Sequence, residues 1–242
     1  GAPMTSQPLI EGQCDPAFSA VGEAFHANFY REDDYRDVGA ALCVYWRGRK
    51  VVNLWGGLAD QATSRPWRED TLVNIWSATK GLTAVVIARL VERGLLSYED
   101  KVADHWPEFA QAGKADIRVG DLLSHQSGLN GFLEPTTIEE FADWDLLTRR
   151  LAEQPPFWAP GQFTAYHAMT YGFLVGEVAR RVTGLTPREL FRSELAQALG
   201  ADVHLGLPPH EASRVATTIS PDVWSTTPGA VDVIAEPATT NP

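Results

Sequence analysis

Cysteine is nearly absent from this chain of 242 residues: Cys14 and Cys43 are too few for a disulfide framework and carry no metal-ligand spacing. Six histidines (His26, His105, His125, His167, His204 and His210) are scattered without a His-Glu-x-x-His pattern, so no metal site is expected. There is no phosphate-binding glycine loop, and no cofactor is expected. Positive charge is scarce as well. Twenty Lys and Arg face 31 Asp and Glu, a formal net charge of -11 with no basic cluster, which excludes a nucleic-acid surface. No apolar run reaches the length of a membrane span. The start lacks a basic segment followed by an apolar one, so a cytoplasmic location is expected, and Gly1-Ala2-Pro3 before Met4 reads as a tag remnant. No Gly-x-Ser-x-Gly elbow exists, which sets aside an ordinary α/β-hydrolase, and no internal repeat is found.

What remains is an ordinary globular composition, 44% hydrophobic and 21% charged, long enough for one large domain or two small ones. Phe18, Val21, Ala24, Phe25 and Phe29 form a helical apolar stripe, followed by the solvated cluster Arg31-Glu32-Asp33-Asp34. Residues 40–46 and 51–55 read as two strands of a hairpin across the polar turn 47–50, with Gly56-Gly57 ending the second. A helix is expected from Ser77 to about Glu92, closed by Gly94. Beyond it the chain reads as helical and loopy. A short helix covers 119–125, a glycine-rich loop 126–132, and an amphipathic helix Ile138 to Leu151 with Asp143 and Asp145 facing solvent. A rigid Pro-rich stretch, 155–161, precedes helices over 168–182 and 187–199. Past Leu207 the pattern fades.

The informative stretch is Trp76-Ser77-Ala78-Thr79-Lys80, at the head of the apolar run from Leu82 to Leu90. Positions i and i+3 share one helix face, so the Ser77 hydroxyl and the Lys80 amine can meet. A serine hydroxyl is a poor nucleophile until a neighbouring base takes its proton, and a lysine can serve. The helix N-terminus adds free N–H groups and a positive dipole end, suited to a developing oxyanion. The competing reading makes Ser77 a simple N-cap and Lys80 a solvated cation. A first-turn lysine opposes the helix dipole, however, so helix stability would not choose it.

A third group is needed to pass the proton to a leaving group. Tyr166, in Phe163-Thr164-Ala165-Tyr166-His167-Ala168, stands where a loop runs into a helix and could push its phenol into a cleft. A nearby ammonium would make that phenol easier to ionise. The plainer alternative is a tyrosine packing its ring at a helix start.

Four motifs occur in order: Ser77-Ala78-Thr79-Lys80; Leu122-Leu123-Ser124-His125-Gln126-Ser127-Gly128-Leu129; Trp158-x-Pro160-Gly161; and Tyr166-His167-Ala168 with Tyr171-Gly172-x-Leu174-x-Gly176. Together they resemble the serine β-lactamase-like family, and within it the family VIII carboxylesterases related to class C β-lactamases. The resemblance runs from the Phe18 helix to about Pro208. It implies an α+β fold of the β-lactamase/DD-peptidase type, an antiparallel sheet flanked by helices plus a mostly helical domain. On that basis residues 1–105 form the N-terminal part of the α/β domain and 106–242 the helical domain and tail. It also implies that Ser77 is acylated, that Lys80 helps deprotonate it, and that Tyr166 is the general base, proton relay and activator of water. The Ser77 N–H would form half of the oxyanion hole, and Phe132, Trp158 and His167 would line the acyl or alcohol pocket.

Two departures refine this. The family's tyrosine motif usually carries an asparagine two residues on, whereas here Ala168 offers no polar group, which favours esters over lactams. The late-strand motif, Lys-Thr-Gly or a His/Trp-x-Gly variant, is not found before Pro242. With only the first hairpin of the sheet in view, a C-terminal segment carrying the other strands is expected to be missing, and the 242 residues alone to be inactive. The expectation is therefore a serine carboxylesterase acting on small-molecule esters with short acyl groups. A β-lactamase or D-peptidase, an acyltransferase of the same fold, and a non-catalytic relative are the alternatives.

Overall fold

The computed structural model of the chain describes residues 8–220, which divide into two compact units, 8–74 with 208–220, and 75–207.

The first unit is an antiparallel sheet with one helix on it. Strand β1 (Ile10–Cys14) leads through a 3-10 turn capped by Asp15 into helix α1 (Ser19–Asn28). Strands β2 (Gly39–Trp46) and β3 (Arg49–Asp60) form the expected hairpin, and β4 (Arg65–Pro66) pairs with the end of β3. The hairpin closes through two residues in the left-handed region, Arg47 at φ 51° and Gly48 at φ 77°, whose twist matches that of the strands. The helical stripe lies where the sequence puts it. Phe25 and Phe29 are buried with Val51, Val52 and Leu54 of β3.

Two strand expectations change. The sheet holds more than the hairpin, because β1 pairs with β3 from Ile10 opposite Gly56 to Cys14 opposite Val52, giving the order β1-β3-β2. Strand β3 also does not stop at Gly56-Gly57. It runs on to Asp60, the glycines permitting a close crossing in which Gly57 sits at φ 74° and any Cβ there would lie 2.0 Å from the Val38 carbonyl. Segment 208–220 returns to this unit, with the Ala216 N–H donating to the Leu72 carbonyl and the Thr217 N–H to that of Ala59.

The second unit is helical: α2 (Ala78–Glu92), α3 (Val102–His105), α4 (Val119–Leu123), α5 (Trp144–Glu153), α6 (Tyr171–Thr183) and α7 (Pro187–Phe191). Its core joins Val86, Ile87 and Leu90 of α2 to Leu147 and Leu151 of α5 and to Leu174, Val175 and Val178 of α6. Val102, Trp106 and Phe109, on both sides of residue 105, lie in the same core. The carboxylate of Glu194 is buried and takes Arg89 at 2.7 Å, with Arg93 beside it, fastening the far end of α2.

The single helix expected over 138–151 is broken. Residues 139–142 make one 3-10 turn, and Asp143, exposed as expected, then starts α5 by accepting from the Leu146 N–H at 3.0 Å. Helix α6 begins at Tyr171 because Thr170 is turned inward, its hydroxyl donating to the Leu129 carbonyl at 2.6 Å. The helix expected over 187–199 keeps that extent, α-helical to Phe191, widened to the π form over 192–197 and α-helical again at 198–199. The expected missing sheet segment and late motif fall beyond residue 220, outside the described residues.

Candidate active site

Ser77 stands at the N-cap of α2, but its backbone is already helical (φ -69°, ψ -9°) and its side chain makes no capping hydrogen bond. The hydroxyl is therefore free for another use. Trp76, just before it, takes φ 49°, a left-handed conformation costly for a bulky residue, and this bend turns the chain sharply into the helix. One turn on, the half-buried Lys80 directs Nζ back at Ser77 Oγ, 3.0 Å away. The simple-cap reading of this pair does not describe it.

Tyr166 reaches the same place from a distant segment. Its ring is 50% exposed, with the Lys80 Nζ 4.8 Å from the ring centroid. Hydrogen bonds from Ser77 and then Lys80, with the charge of Lys80 added, hold the phenol below its ordinary pKa against a smaller effect of burial. A phenol so placed is a better base near neutral pH than a solvent-exposed one.

The loop bearing Tyr166 is laced to the glycine-rich loop by a run of backbone hydrogen bonds. The N–H of Phe157 donates to the Gly128 carbonyl at 2.8 Å, that of Gly161 to Gln126 at 2.8 Å, and that of Ala165 to His125 at 3.0 Å. Gly128 is required there, because it sits at φ 78° and a Cβ would lie 2.7 Å from the Trp158 carbonyl.

His167 is wholly buried, Nδ1 lying 2.6 Å from the Ala165 carbonyl and Nε2 2.6 Å from Ser127 Oγ. A carbonyl can only accept, so Nδ1 carries the proton and Nε2 accepts from the serine. Burial pushes this imidazole down to about 4, and it is neutral at ordinary pH. Phe132 is buried too, in edge contact with Phe141 and Phe173, and at 1% exposure it belongs to the core. Trp158 is half-buried and meets the exposed ring of Phe163 edge-on at 6.0 Å. Ser77, Lys80 and Tyr166 thus come together, with Trp158 on the loop that carries Tyr166, while Phe132 and His167 lie behind the surface. The residue least apparent from the sequence is His125, whose ring lies 5.0 Å from that of Tyr166. Its place in the Leu-Leu-Ser-His-Gln-Ser-Gly run was the one available signal. Among the described residues, no group of three or more His, Cys, Asp or Glu could hold a metal, and no helix is long and apolar enough to cross a membrane.

The profile of the Beta-lactamase family matches residues 25–239. The chain is 45% identical over 214 residues to Esterase/beta-lactamase LipL of Mycobacterium tuberculosis, covering 88% of this chain and 49% of that protein. Among solved structures it is similar to a family VIII carboxylesterase, with a TM-score of 0.82 and 47% identity over 87% of this chain and 57% of that one. A penicillin-binding protein homologue from Caulobacter crescentus gives a TM-score of 0.81 and 40% identity, covering 92% of this chain and 62% of that one. The chain spans about half the length of the curated relatives it matches.

Proposed function

This chain belongs to the Beta-lactamase family, and from that premise we propose that the protein is a serine carboxylesterase that cleaves small esters with short acyl groups through an acyl-enzyme. The observation that carries the reading is the convergence of Lys80 and Tyr166 on the Ser77 hydroxyl, which capping leaves free.

In the proposed reaction the Tyr166 phenolate, stabilised by the Lys80 ammonium, takes the proton of Ser77 Oγ as that oxygen attacks the ester carbonyl. The N–H groups of Ala78, Thr79 and Lys80 are bonded to the carbonyls of Ile75, Trp76 and Ser77, so the Ser77 N–H is the one assigned to the developing oxyanion. Collapse expels the alkoxide, which receives the proton from Tyr166. Tyr166 then takes a proton from water as the water attacks the acyl group, and Ser77 recovers its proton on release. Lys80 fixes the serine and favours the phenolate by its charge. Trp158 and Phe163 are assigned to contact with substrate, and Phe132 and His167 to supporting that wall from behind.

Phosphonate labelling tests this directly. In protein that carries the expected C-terminal segment, mass added at Ser77, and lost in Ser77→Ala, supports the acyl-enzyme route, whereas an unlabelled Ser77 in that folded protein refutes it and leaves a non-catalytic relative. Lactam hydrolysis is the second reading, favoured by the name of the Mycobacterium tuberculosis relative. Ala168 argues against it, having no polar group for a substrate amide. Rates on p-nitrophenyl butyrate beside nitrocefin separate the two.

A further inference from the structure

The acyl-enzyme reading leaves open what aims a half-exposed phenol at its two partners. We propose that His125 is a positioning residue for Tyr166, gripping the chain on both sides of the tyrosine and backing its ring; this rests on the reading of the site given above. Two hydrogen bonds form the grip. The Ala165 N–H donates to the His125 carbonyl at 3.0 Å, and the His167 N–H donates to His125 Nδ1 at 2.8 Å. Tyr166 lies between those two anchored residues. His125 itself sits at φ 60°, left-handed for a non-glycine residue, and this conformation presents its carbonyl and its ring to the same segment.

The ring has a second role as a backing plate. Its centroid lies 5.0 Å from that of Tyr166, 5.0 Å from Tyr171 in a stacked arrangement, and 5.1 Å from His167 in an edge contact. An amide N–H can donate only to an unprotonated nitrogen, so Nδ1 of His125 is the acceptor and the neutral ring carries its proton on Nε2. The titratable groups facing it are Lys80 from α2, Tyr166 and His167 from the loop, and Tyr171 from α6. Burial first, and then the Lys80 charge, hold this imidazole below its ordinary pKa, which preserves the acceptor.

Side-chain chemistry separates gripping from mere filling. Asn places Oδ1 near the site of Nδ1 and keeps an acceptor, Phe keeps a ring without one, and Gln carries its acceptor too far out. The experiment labels tyrosine with 13C at Cζ, assigns Tyr166 by its loss in Tyr166→Phe, and titrates the phenol. His125→Phe should raise the Tyr166 pKa by about one unit, since the bonds from Ser77 and Lys80 that lower it would loosen. Phosphonate labelling of Ser77 near pH 7 should then slow roughly tenfold, with its rising pH limb displaced by the same unit. His125→Asn should restore both.

An unmoved Tyr166 titration in folded His125→Phe overturns the proposal, as does His125→Asn behaving like His125→Phe. Should His125→Phe not fold, the contrast between His125→Asn and His125→Gln decides in the same way. Absence of labelling at Ser77 in the unsubstituted protein would overturn the acyl-enzyme reading alone, because the Tyr166 titration still decides the positioning role.

Discussion

The amine of Lys80 lies 4.8 Å from the centre of the Tyr166 ring and donates to Ser77 Oγ at 3.0 Å, so two segments far apart in the chain close on a single hydroxyl. Lys80 and Ser77 are held by one helical turn, but Tyr166 is held by its loop. The three can act together only while that loop keeps its place.

Removing the phenol oxygen alone isolates its chemistry. Tyr166→Phe keeps the ring beside Lys80 and should lower kcat on p-nitrophenyl butyrate by ~10²–10⁴-fold, the usual contribution of a general acid–base group. KM should change little, because the lost interaction belongs to the transition state. Steady-state kinetics on the folded variant, in protein carrying the expected C-terminal segment, check this, and a near-normal rate removes Tyr166 from the mechanism.

His167 makes acid sensitivity a property of the fold. Its folded pKa is about 4 against an ordinary 6.5, so between those values the unfolded chain binds the extra proton. Stability is therefore complete above about 6.5 and falls as the pH drops toward 4, by on the order of 3 kcal/mol from this group. His167→Gln retains an acceptor for Ser127 and cannot titrate. Urea midpoints measured from pH 7 to pH 4 should fall less steeply in that variant, and parallel slopes would exclude His167 as the source.

Legibility followed distance along the chain. The Ser77–Lys80 pair was readable because i and i+3 on a helix are fixed by local geometry. The β2–β3 hairpin was readable for the same reason, its turn lying between two apolar runs. Strand β1 was not, since Ile10-Glu11-Gly12-Gln13-Cys14 has little alternation and owes its state to pairing with β3. Asp143 is the surface charge its position suggests, but its capping role was not legible, because capping depends on where a helix breaks, which the apolar spacing of 138–151 conceals. Aromatic residue type says nothing of depth, so Phe132 and Trp158 looked alike as pocket residues though one is buried in the core. His125 has the same difficulty, its neighbours coming from α2, the Tyr166 loop and α6.

Gly128 offers a test of the loop lacing that does not touch the reacting groups. Gly128→Ala would put a methyl 2.7 Å from the Trp158 carbonyl and 2.9 Å from Pro156 Cβ, at a φ of 78° that alanine resists. Relief requires the Trp158 loop to retreat and lose the bond from the Phe157 N–H. A destabilisation of about 1–3 kcal/mol is expected in urea unfolding, with altered Trp fluorescence. A variant with unchanged stability and emission would show that the lacing yields freely.

Lys114 is a buried cation that the proposed chemistry does not use, and its environment predicts a stability role with its own pH signature. The side chain is wholly buried, and Nζ donates to the carbonyls of Gln111 at 2.9 Å, Ala152 at 2.8 Å and Gln154 at 2.6 Å. Ala152 and Gln154 lie at the C-terminal end of α5, where the helix dipole favours a cation. Lys114→Met fills much of the same space but leaves those carbonyls without a donor, and should cost about 2–4 kcal/mol at pH 7. Burial also lowers the amine to about 8 from an ordinary 10.5. Below about 8 the amine is charged in both states and the desolvation cost is present in full. Between about 8 and 10.5 the folded amine is neutral while the unfolded one still holds its proton, so this group makes stability rise with pH. The gap between wild type and Lys114→Met should therefore widen across that interval. Equal urea midpoints at pH 7 would refute the capping role, and a gap that stays flat from pH 8 to 10.5 would show that the buried amine does not titrate there.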